Sequence, residues 1–287
     1  MNYIVQANNT RAKFSFLSGS FLKVFAIVVM FIDHFAAGFI LPSIITGDMY
    51  KFLSFWGIDV TLSLEILIYT ILRGIGRMAF PIFCYLLVEG FYHTRNKLRY
   101  TLTLSLFAFI SEIPFDITLI AYKAYDTLNL KEIYTTYSAN IWGSQNVYFT
   151  LFLGVIAIWL SDTIIKKLSL VNTLIAYVVS VIPVAISAYI AYLLKTDYAA
   201  YGIIVIAIFY YFHNKRIPAT ILVYLFLLLT LSTRANGGME EWSFPAFIII
   251  NFYNGQRGFI KKNFKYFFYI FYPAHLLVIF FIRYFCI

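Results

Sequence analysis

Charged residues are scarce in this sequence. Only 12% of its 287 residues are Asp, Glu, Lys or Arg, whereas 62% are hydrophobic, including 31 Phe and 24 Tyr. A soluble domain has about a quarter charged residues, so this composition excludes a soluble globular protein. The apolar segments are separated by short charged stretches, none long enough for a core of its own. The composition predicts one membrane-embedded domain over residues 21–287, preceded by a cytoplasmic tail at 1–20.

Cysteines are few, and the motifs of soluble enzymes are missing. Cys84 and Cys286 lie in apolar segments and form no disulfide or ligand pattern. No metal-ligand spacing, phosphate-binding Walker loop, nucleophile elbow or dinucleotide fingerprint occurs, so we expect no metal. The net charge of +9 comes from basic residues between apolar segments. This distribution favours contact with the lipid bilayer over contact with a nucleic acid.

About nine segments are apolar enough to cross a bilayer, since a span needs about 20 apolar residues and a sheltered span needs fewer. They are residues 21–41, 77–93, 100–120, 146–161, 170–193, 199–212, 217–232, 243–254 and 265–285. Residues 52–72 are ambiguous, because this segment is long enough to span but contains Asp59 and Glu65. The expected fold is therefore an all-α transmembrane helix bundle.

Charge bias favours one reading of the ambiguous segment. With nine spans and a cytoplasmic N-terminus, 14 of the 22 Lys and Arg residues fall in cytoplasmic segments, in agreement with the positive-inside rule. A tenth span at 52–72 would reverse every later loop and move most of these residues outside. The sequence therefore favours an interfacial or re-entrant segment at 52–72, with ten spans as the alternative.

Polar residues inside the first span form the first candidate site, because ionisable groups in membrane segments usually have a partner or a function. Asp33 and His34 point about 100° apart on a helix, so at least one faces another helix. Lys23 lies eleven residues before His34, on the same face and about 16 Å away. This stripe fits the wall of a channel. The alternative is that His34 only hydrogen-bonds another span while Asp33 caps the outer end.

A second polar stripe lies within residues 74–94. Tyr85, Glu89 and His93 are four residues apart and share one helix face. Glu89 and His93 fit a proton relay, although a pair that only joins helices is favoured by the spacing alone. Arg77 places a positive charge at the start of the same span, beside glycines that permit a kink.

Three further polar features lie near the ends of later spans or within the last one. Glu112, in SEIPFD, fits a residue that positions a polar acceptor, although capping of a helix end is the more ordinary role. YNGQRG begins the most basic cytoplasmic loop, which suits lipid contact or phosphate binding. His275, in FYPAH, lies within the last span.

Seven motifs together resemble one protein family. They are KVFAIVVMFIDH (23–34), RGIGRMAFPIFCYLLVEGFYHT (73–94), SEIPFD, QNVYFTL, DYAAYG, YNGQRG and FYPAH. In this order they resemble the TraX family, named for the F-pilin acetylase of conjugative plasmids, over about residues 20–280. The resemblance implies a polytopic acetyltransferase of the bacterial cytoplasmic membrane. Such an enzyme moves an acyl group from a cytoplasmic acyl-CoA to an acceptor at or across the membrane.

The resemblance also implies roles for individual residues. In the larger class of membrane acyltransferases a basic residue begins the first span and a histidine about three turns later is the candidate catalyst, here Lys23 and His34. Neutral His34 would act as general base on an amine or hydroxyl, with a transient acetyl-histidine as the variant mechanism. Asp33 or Glu89 would orient the His34 ring or stabilise its cation.

The implied co-substrate is acetyl-CoA, whose phosphates suit a basic cytoplasmic rim. The candidate rim residues are Lys23, Arg257, Lys261 and Lys262. The candidates for the acceptor site or for oxyanion stabilisation are Arg77, His93, Glu112 and His275. The implied acceptor is a membrane-associated peptide, a pilin or a glycan. Two alternatives stay open, a proton-coupled small-molecule transporter and a noncatalytic membrane component of a conjugation or secretion apparatus.

Overall fold

The computed structural model describes residues 15–58, 61–124, 127–232, 238–260 and 264–286. Within these ranges the regular structure is helical, without a β-strand. The helices are α1 Gly19–Thr46, α2 Asp48–Phe55, α3 Leu62–Gly76, α4 Ala79–His93, α5 Lys97–Ile120, α6 Leu130–Thr136, α7 Ser138–Ile141, α8 Val147–Leu168, α9 Thr173–Leu193, α10 Ala199–Tyr211, α11 Arg216–Ser232, α12 Phe244–Asn251 and α13 Lys265–Cys286. The π-helical segments are Ala36–Ile40 in α1, Asp116–Ile120 in α5 and Leu228–Ser232 in α11.

Six helical segments of the described ranges are long and apolar enough to cross a membrane. They are α1, α3 together with α4, α5, α8, α9 and α13. The protein is therefore a multi-pass helical membrane protein, as the sequence predicted. The predicted spans 199–212, 217–232 and 243–254 correspond to α10, α11 and α12, which are shorter apolar helices.

Hydrogen bonds identify which helix ends meet near the chain's first described residues. The amide of Leu17 donates to the carbonyl of Phe252, just after α12, at 3.0 Å. Arg216, the first residue of α11, donates to the carbonyl of Asn251, the last residue of α12, at 3.3 Å. Near the same end, Arg99 in the first turn of α5 donates to Tyr266 at the start of α13. We name this end of the bundle the N-terminal end.

Other contacts identify the opposite end, which we name the distal end. The amide of Gln145, before α8, donates to the carbonyl of Lys195, after α9, at 3.1 Å. Arg283, in the last turn of α13, donates to the carbonyl of Ile117 near the end of α5 at 2.6 Å. The three short helices thus continue the alternation of chain direction between the two ends, because α10 and α12 run from the distal to the N-terminal end and α11 runs back.

Residues 52–72 do not form one separate segment. The Thr61 side chain caps α3, and Arg77 and Met78 keep right-handed helical dihedrals, so α3 continues into α4. The resulting element covers 32 residues, and the span predicted to begin at residue 77 begins at Leu62 instead. Glu65, whose charge argued against a span, is only 3% exposed. Asp59 lies outside the described residues.

Close backbone approach holds neighbouring helices together. Helix association in a bilayer depends on van der Waals contact, because lipid is as apolar as the side chains it would replace. α8 and α10 show this at Gly154, where a Cβ would lie 2.3 Å from a side-chain carbon of Ile206. The central helix α4 packs against α1, α8, α10 and α12.

Candidate active site

A cavity of about 260 Å³ lies toward the distal end of the bundle, where it is lined by residues of α1, α3, α4, α5, α8 and α13 and of the connection between α9 and α10. Its polar lining residues are Asp33, His34, Arg73, Arg77, Asp197, Tyr198 and Tyr272. The rest of the wall is largely apolar and aromatic. Cavities that hold whole drug-sized ligands occupy about 300–1,000 Å³, so this cavity suits a small reacting group.

A hydrogen bond between two histidine rings fixes the orientation of His34. Its Nδ1 lies 2.7 Å from Nε2 of His275, and the ring planes differ by 5°. Nδ1 of His275 lies 2.7 Å from the carbonyl oxygen of Phe271. Since a carbonyl oxygen only accepts, His275 carries its proton on Nδ1 and accepts from His34 at Nε2. Neutral His34 therefore carries its proton on Nδ1, and its Nε2 holds the basic lone pair.

Asp33 pairs with two arginines and not with the His34 ring. Its Oδ2 lies 2.6 Å from Nη1 of Arg73, and its Oδ1 lies 3.1 Å from Nη2 of Arg77. Gly76 allows this contact, because a Cβ there would lie 2.2 Å from the Cβ of Asp33. The motif RGIGR thus supplies two cations that hold Asp33 and a glycine that lets α1 approach.

Arg77 also faces two groups from later parts of the chain. Its Nη1 donates to the hydroxyl of Tyr198 at 3.4 Å and lies 3.6 Å from Oε1 of Glu240. The Tyr198 ring stacks on Phe80 with a centroid distance of 3.6 Å and an angle of 2° between planes. Arg77 therefore links α1 with the segments that precede α10 and α12.

The connection between α9 and α10 is strained where it reaches the cavity. Lys195, Tyr198 and Ala199 have φ values of 52°, 60° and 42°, which are uncommon for residues with a side chain. Burial raises the pKa of Asp197 to about 6, although the charge of Arg77 lowers it. Backbone strain of this kind persists only where the surrounding structure holds it and is often found at functional sites.

The structure brings four of the sequence-predicted residues together, namely Asp33, His34, Arg77 and His275. Glu89 and His93 lie elsewhere, in the last turns of α4 toward the N-terminal end of the bundle. Glu89 is 12 residues after Arg77, about 18 Å along the helix, and its Oε1 lies 2.8 Å from Nε2 of His213. The contact with the His34 ring that the sequence assigned to Asp33 or Glu89 is made by His275.

The predicted stripe from Lys23 to His34 lines the cavity only at its distal end, through Met30 and His34. Ala26 and Ile27, between Lys23 and Met30, are buried and do not line it. The Lys23 ammonium group lies 5.6 Å from the ring centroid of Phe268 in α13.

The remaining predicted residues are the basic loop residues and Glu112, and those that the structure describes lie near helix ends. The exposed Arg257 uses its carbonyl to accept from Ser20 and its Nε to donate to Ile260 at 3.1 Å. Lys261 and Lys262 lie outside the described residues. Glu112 accepts from Asn146, the residue that caps α8, so its contacts correspond to the capping role.

Several residues of the site region were not selected from the sequence. They are Arg73, Asp197, Tyr198, Glu240, Tyr272 and Arg283. Arg73 belongs to the motif RGIGR, and Asp197 and Tyr198 belong to the motif DYAAYG. The motifs marked these segments, but nothing in the sequence indicated that these side chains line the cavity. Arg283 is a charged residue inside the last span, and the rule that such residues need partners could have found it.

Arg283 joins the two π-helical segments that border the cavity. It is fully buried and donates to the carbonyls of Gly38 at 3.2 Å, Thr118 at 2.7 Å and Ile117 at 2.6 Å. No carboxylate pairs with it within the described ranges. A buried guanidinium without a counter-charge is costly, so these carbonyls are its main compensation.

The fold and site define a class, a multi-pass helical membrane protein with a histidine pair and an Asp–Arg cluster around a cavity between its helices. The sequence model described as "TraX protein" matches residues 18–283, and the chain therefore belongs to the TraX family. It is similar to "Probable fimbrial assembly protein FimC, serogroup H1" of Dichelobacter nodosus, with 27% identity over 272 residues, covering 90% of this chain and 92% of that protein. No solved structure matches the chain.

Proposed function

We propose that this protein is a membrane acetyltransferase that moves an acetyl group from acetyl-CoA to an amine or hydroxyl of a membrane-associated acceptor. The observation that carries the proposal is the hydrogen bond between His34 and His275. This bond places the proton of neutral His34 on Nδ1, so Nε2 of His34 carries the basic lone pair. His34 lines the cavity. A general base needs this unprotonated nitrogen within reach of the proton that it removes.

In the proposed reaction, His34 Nε2 removes a proton from the acceptor amine or hydroxyl as that group attacks the thioester carbonyl. The new C–N or C–O bond gives a tetrahedral oxyanion. This oxyanion then collapses, the C–S bond breaks, and the CoA thiolate leaves and takes the proton from His34. The account needs no metal, because the base is a histidine and the oxyanion can be stabilised by fixed cations.

Arg77 and Arg73 are the proposed donors for the oxyanion. Both line the cavity, and Asp33 holds both, which fixes their positions without cancelling both charges. Donors that are already oriented before the reaction stabilise developing charge most effectively. The sequence left the role of Arg77 open between the acceptor site and the oxyanion. Its position beside His34 and Asp33 favours the oxyanion.

The proposed acceptor is a pilin-like peptide or a glycan. The relative that the chain resembles over most of its length is called a probable fimbrial assembly protein, which supports a role in pilus or fimbrial assembly. We place the protein in the bacterial cytoplasmic membrane with its N-terminus in the cytoplasm. The distal cavity would then face the acceptor side, while acetyl-CoA comes from the N-terminal end.

Reconstitution in sealed liposomes tests this proposal against transport. With radiolabelled acetyl-CoA and membranes that contain pilin-like peptides or glycans, we expect label in a covalent product that survives denaturation. A transporter would instead move solute across the vesicle wall without a covalent acetyl product. A noncatalytic assembly component would do neither.

A further inference from the structure

A second cavity, of about 150 Å³, lies at the N-terminal end between the first turns of α5 and α13. Arg99 and Tyr100 line it from α5, and Tyr266 and Tyr269 line it from α13. None of these four residues was a site candidate from the sequence. The two cavities share no lining residue, so the second is distinct from the site around His34, and its lining suggests a different ligand.

The chemistry of this second cavity favours an anion. Arg99 donates to the hydroxyl of Tyr266 at 3.3 Å, and no carboxylate forms an ion pair with it in the described part of the chain. By contrast, the neighbouring Lys97 pairs with Asp162 at 2.6 Å. The first turn of α5 contains no acidic residue, although the partial positive charge of a helix N-terminus favours one. A bound anion would meet both the guanidinium and the helix end.

A layer of tyrosine rings separates the two cavities. Tyr269 lines the second cavity, and Tyr272, one turn later in α13, lines the first. Tyr148 of α8 stands between them, with its ring centroid 6.3 Å from that of Tyr269 and 5.1 Å from that of Tyr272. The Tyr272 ring lies 5.6 Å from the His34 ring. Tyr148 and Tyr272 are buried, so the layer is closed in this structure.

The layer coincides with a weak point in α13. Pro273 has no amide hydrogen, so it cannot bond to the carbonyl of Tyr269, four residues earlier. The single hydrogen of the Tyr148 hydroxyl is shared instead between the carbonyls of Tyr269 and Phe268, whose oxygens each lie 3.4 Å from the hydroxyl oxygen. These are long hydrogen bonds, since O–H···O distances are ordinarily about 2.5–3.0 Å. α13 therefore lacks one backbone hydrogen bond at the layer, where its tyrosines would have to move.

From these contacts we infer that the second cavity binds a phosphate of the nucleotide end of an acyl-CoA, whose acyl-pantetheine arm reaches His34 through the tyrosine layer. The inference rests on the proposed acetyl transfer. Along α13, Tyr266 and His275 are nine residues and about 14 Å apart, which a long flexible arm can cover. The phosphate group of an anionic lipid offers the same chemistry and is the competing source.

Equilibrium binding of radiolabelled CoA tests the inference without any transfer step. The purified full chain is placed in phosphatidylcholine nanodiscs, and Arg99→Gln is compared with wild type. We expect about tenfold weaker CoA binding or more, because a charge-assisted hydrogen bond is lost. Arg95→Gln is the matched control, since it removes the same charge four residues earlier from a side chain that does not line the cavity. Its affinity should stay within about twofold of wild type.

Two further arms keep the result interpretable. Arg99→Lys keeps the charge and should bind CoA more tightly than Arg99→Gln, which separates loss of a ligand contact from loss of folding. Nanodiscs with phosphatidylglycerol test the lipid source. If phosphatidylglycerol binds in an Arg99-dependent way while CoA binding is indifferent to Arg99→Gln, the cavity is a lipid site and the inference is overturned.

The same measurements separate this inference from the proposed reaction. Wild-type protein that binds CoA through Arg99 but transfers no acetyl group would contradict the reaction and support the site. Transfer that requires His34, together with CoA binding that Arg99→Gln does not change, would contradict only the site.

Discussion

His275 Nε2 lies 2.7 Å from His34 Nδ1, in the plane of both rings. This relationship makes His275 a positioning residue, because it selects the tautomer of His34 and holds the ring without lining the cavity itself. In the proposed reaction, His34 would act as a base only while His275 accepts the hydrogen bond from its Nδ1.

Replacement of His275 tests this role. We expect His275→Ala to lower kcat for acetyl transfer by about 10- to 100-fold, because the His34 ring loses its fixed tautomer. The KM for acetyl-CoA should change little, since His275 does not contact the co-substrate in this account. Steady-state kinetics in nanodiscs measure both, with His213→Ala as the histidine control at the other end of the bundle. An equal loss in both variants would argue against positioning.

Asp33 holds the arginine pair, so its neutralisation should weaken the fold. In Asp33→Asn two largely buried guanidinium groups lose their shared carboxylate, and we expect a loss of about 1–3 kcal/mol in the free energy of unfolding. Unfolding in mixed detergent micelles measures this loss. The double variant Asp33→Asn with Arg73→Met should recover part of it, because one unpaired cation is removed. No recovery would show that the two side chains act independently.

Gly76 is required by the close approach of α1 and α3. Gly76→Ala puts a methyl group where the Cβ and carboxylate of Asp33 lie, so we expect a loss of about 1–3 kcal/mol in stability and reduced transfer. Gly19→Ala is the matched control, because the nearest atoms to its Cβ would be 3.4 Å away, an ordinary contact. Thermal unfolding of the two variants in the same detergent should differ clearly. Equal stability would mean that α1 shifts without cost.

Arg283 supports the cavity by holding the π-helical segments of α1 and α5. Arg283→Met leaves three buried carbonyls without their donor, and we expect a loss of about 2–4 kcal/mol in the free energy of unfolding. Lys166→Met is the control, because that side chain is 69% exposed and its removal should change stability by less than about 1 kcal/mol. If both variants unfold alike, the buried guanidinium has no structural role.

Hydropathy predicted most of the fold, but not the exact number of full spans. Long apolar segments such as 170–193 appear as helices near the expected bounds, because a run of this length has no other stable arrangement in lipid. α10 and α12 are too short for hydropathy to decide, since only their neighbours show that they continue the bundle. Residues 52–72 were separated from the next span because they contain Asp59 and Glu65 and because charge bias opposed a tenth span, whereas α3 buries Glu65 and continues into α4.

The sequence predicted which residues share or leave a helix face, but it did not predict the partners of those residues in other helices. Spacing indicated that Asp33 and His34 face different neighbours, and the structure supplies those neighbours, the arginine pair and His275. Periodicity grouped Glu89 with His93, but it could not show that Glu89 also pairs with His213, just after α10. Which helices meet depends on tertiary packing, and a single sequence contains no direct record of it.

Acetyl transfer by His34 variants tests the central claim most directly. Wild type, His34→Ala and His213→Ala are compared at equal protein level for transfer of radiolabelled acetyl from acetyl-CoA to the acceptor membranes. The account predicts that His34→Ala loses at least about 100-fold in rate, the usual contribution of a general base, while His213→Ala stays within about twofold of wild type. Full transfer by His34→Ala would contradict the account.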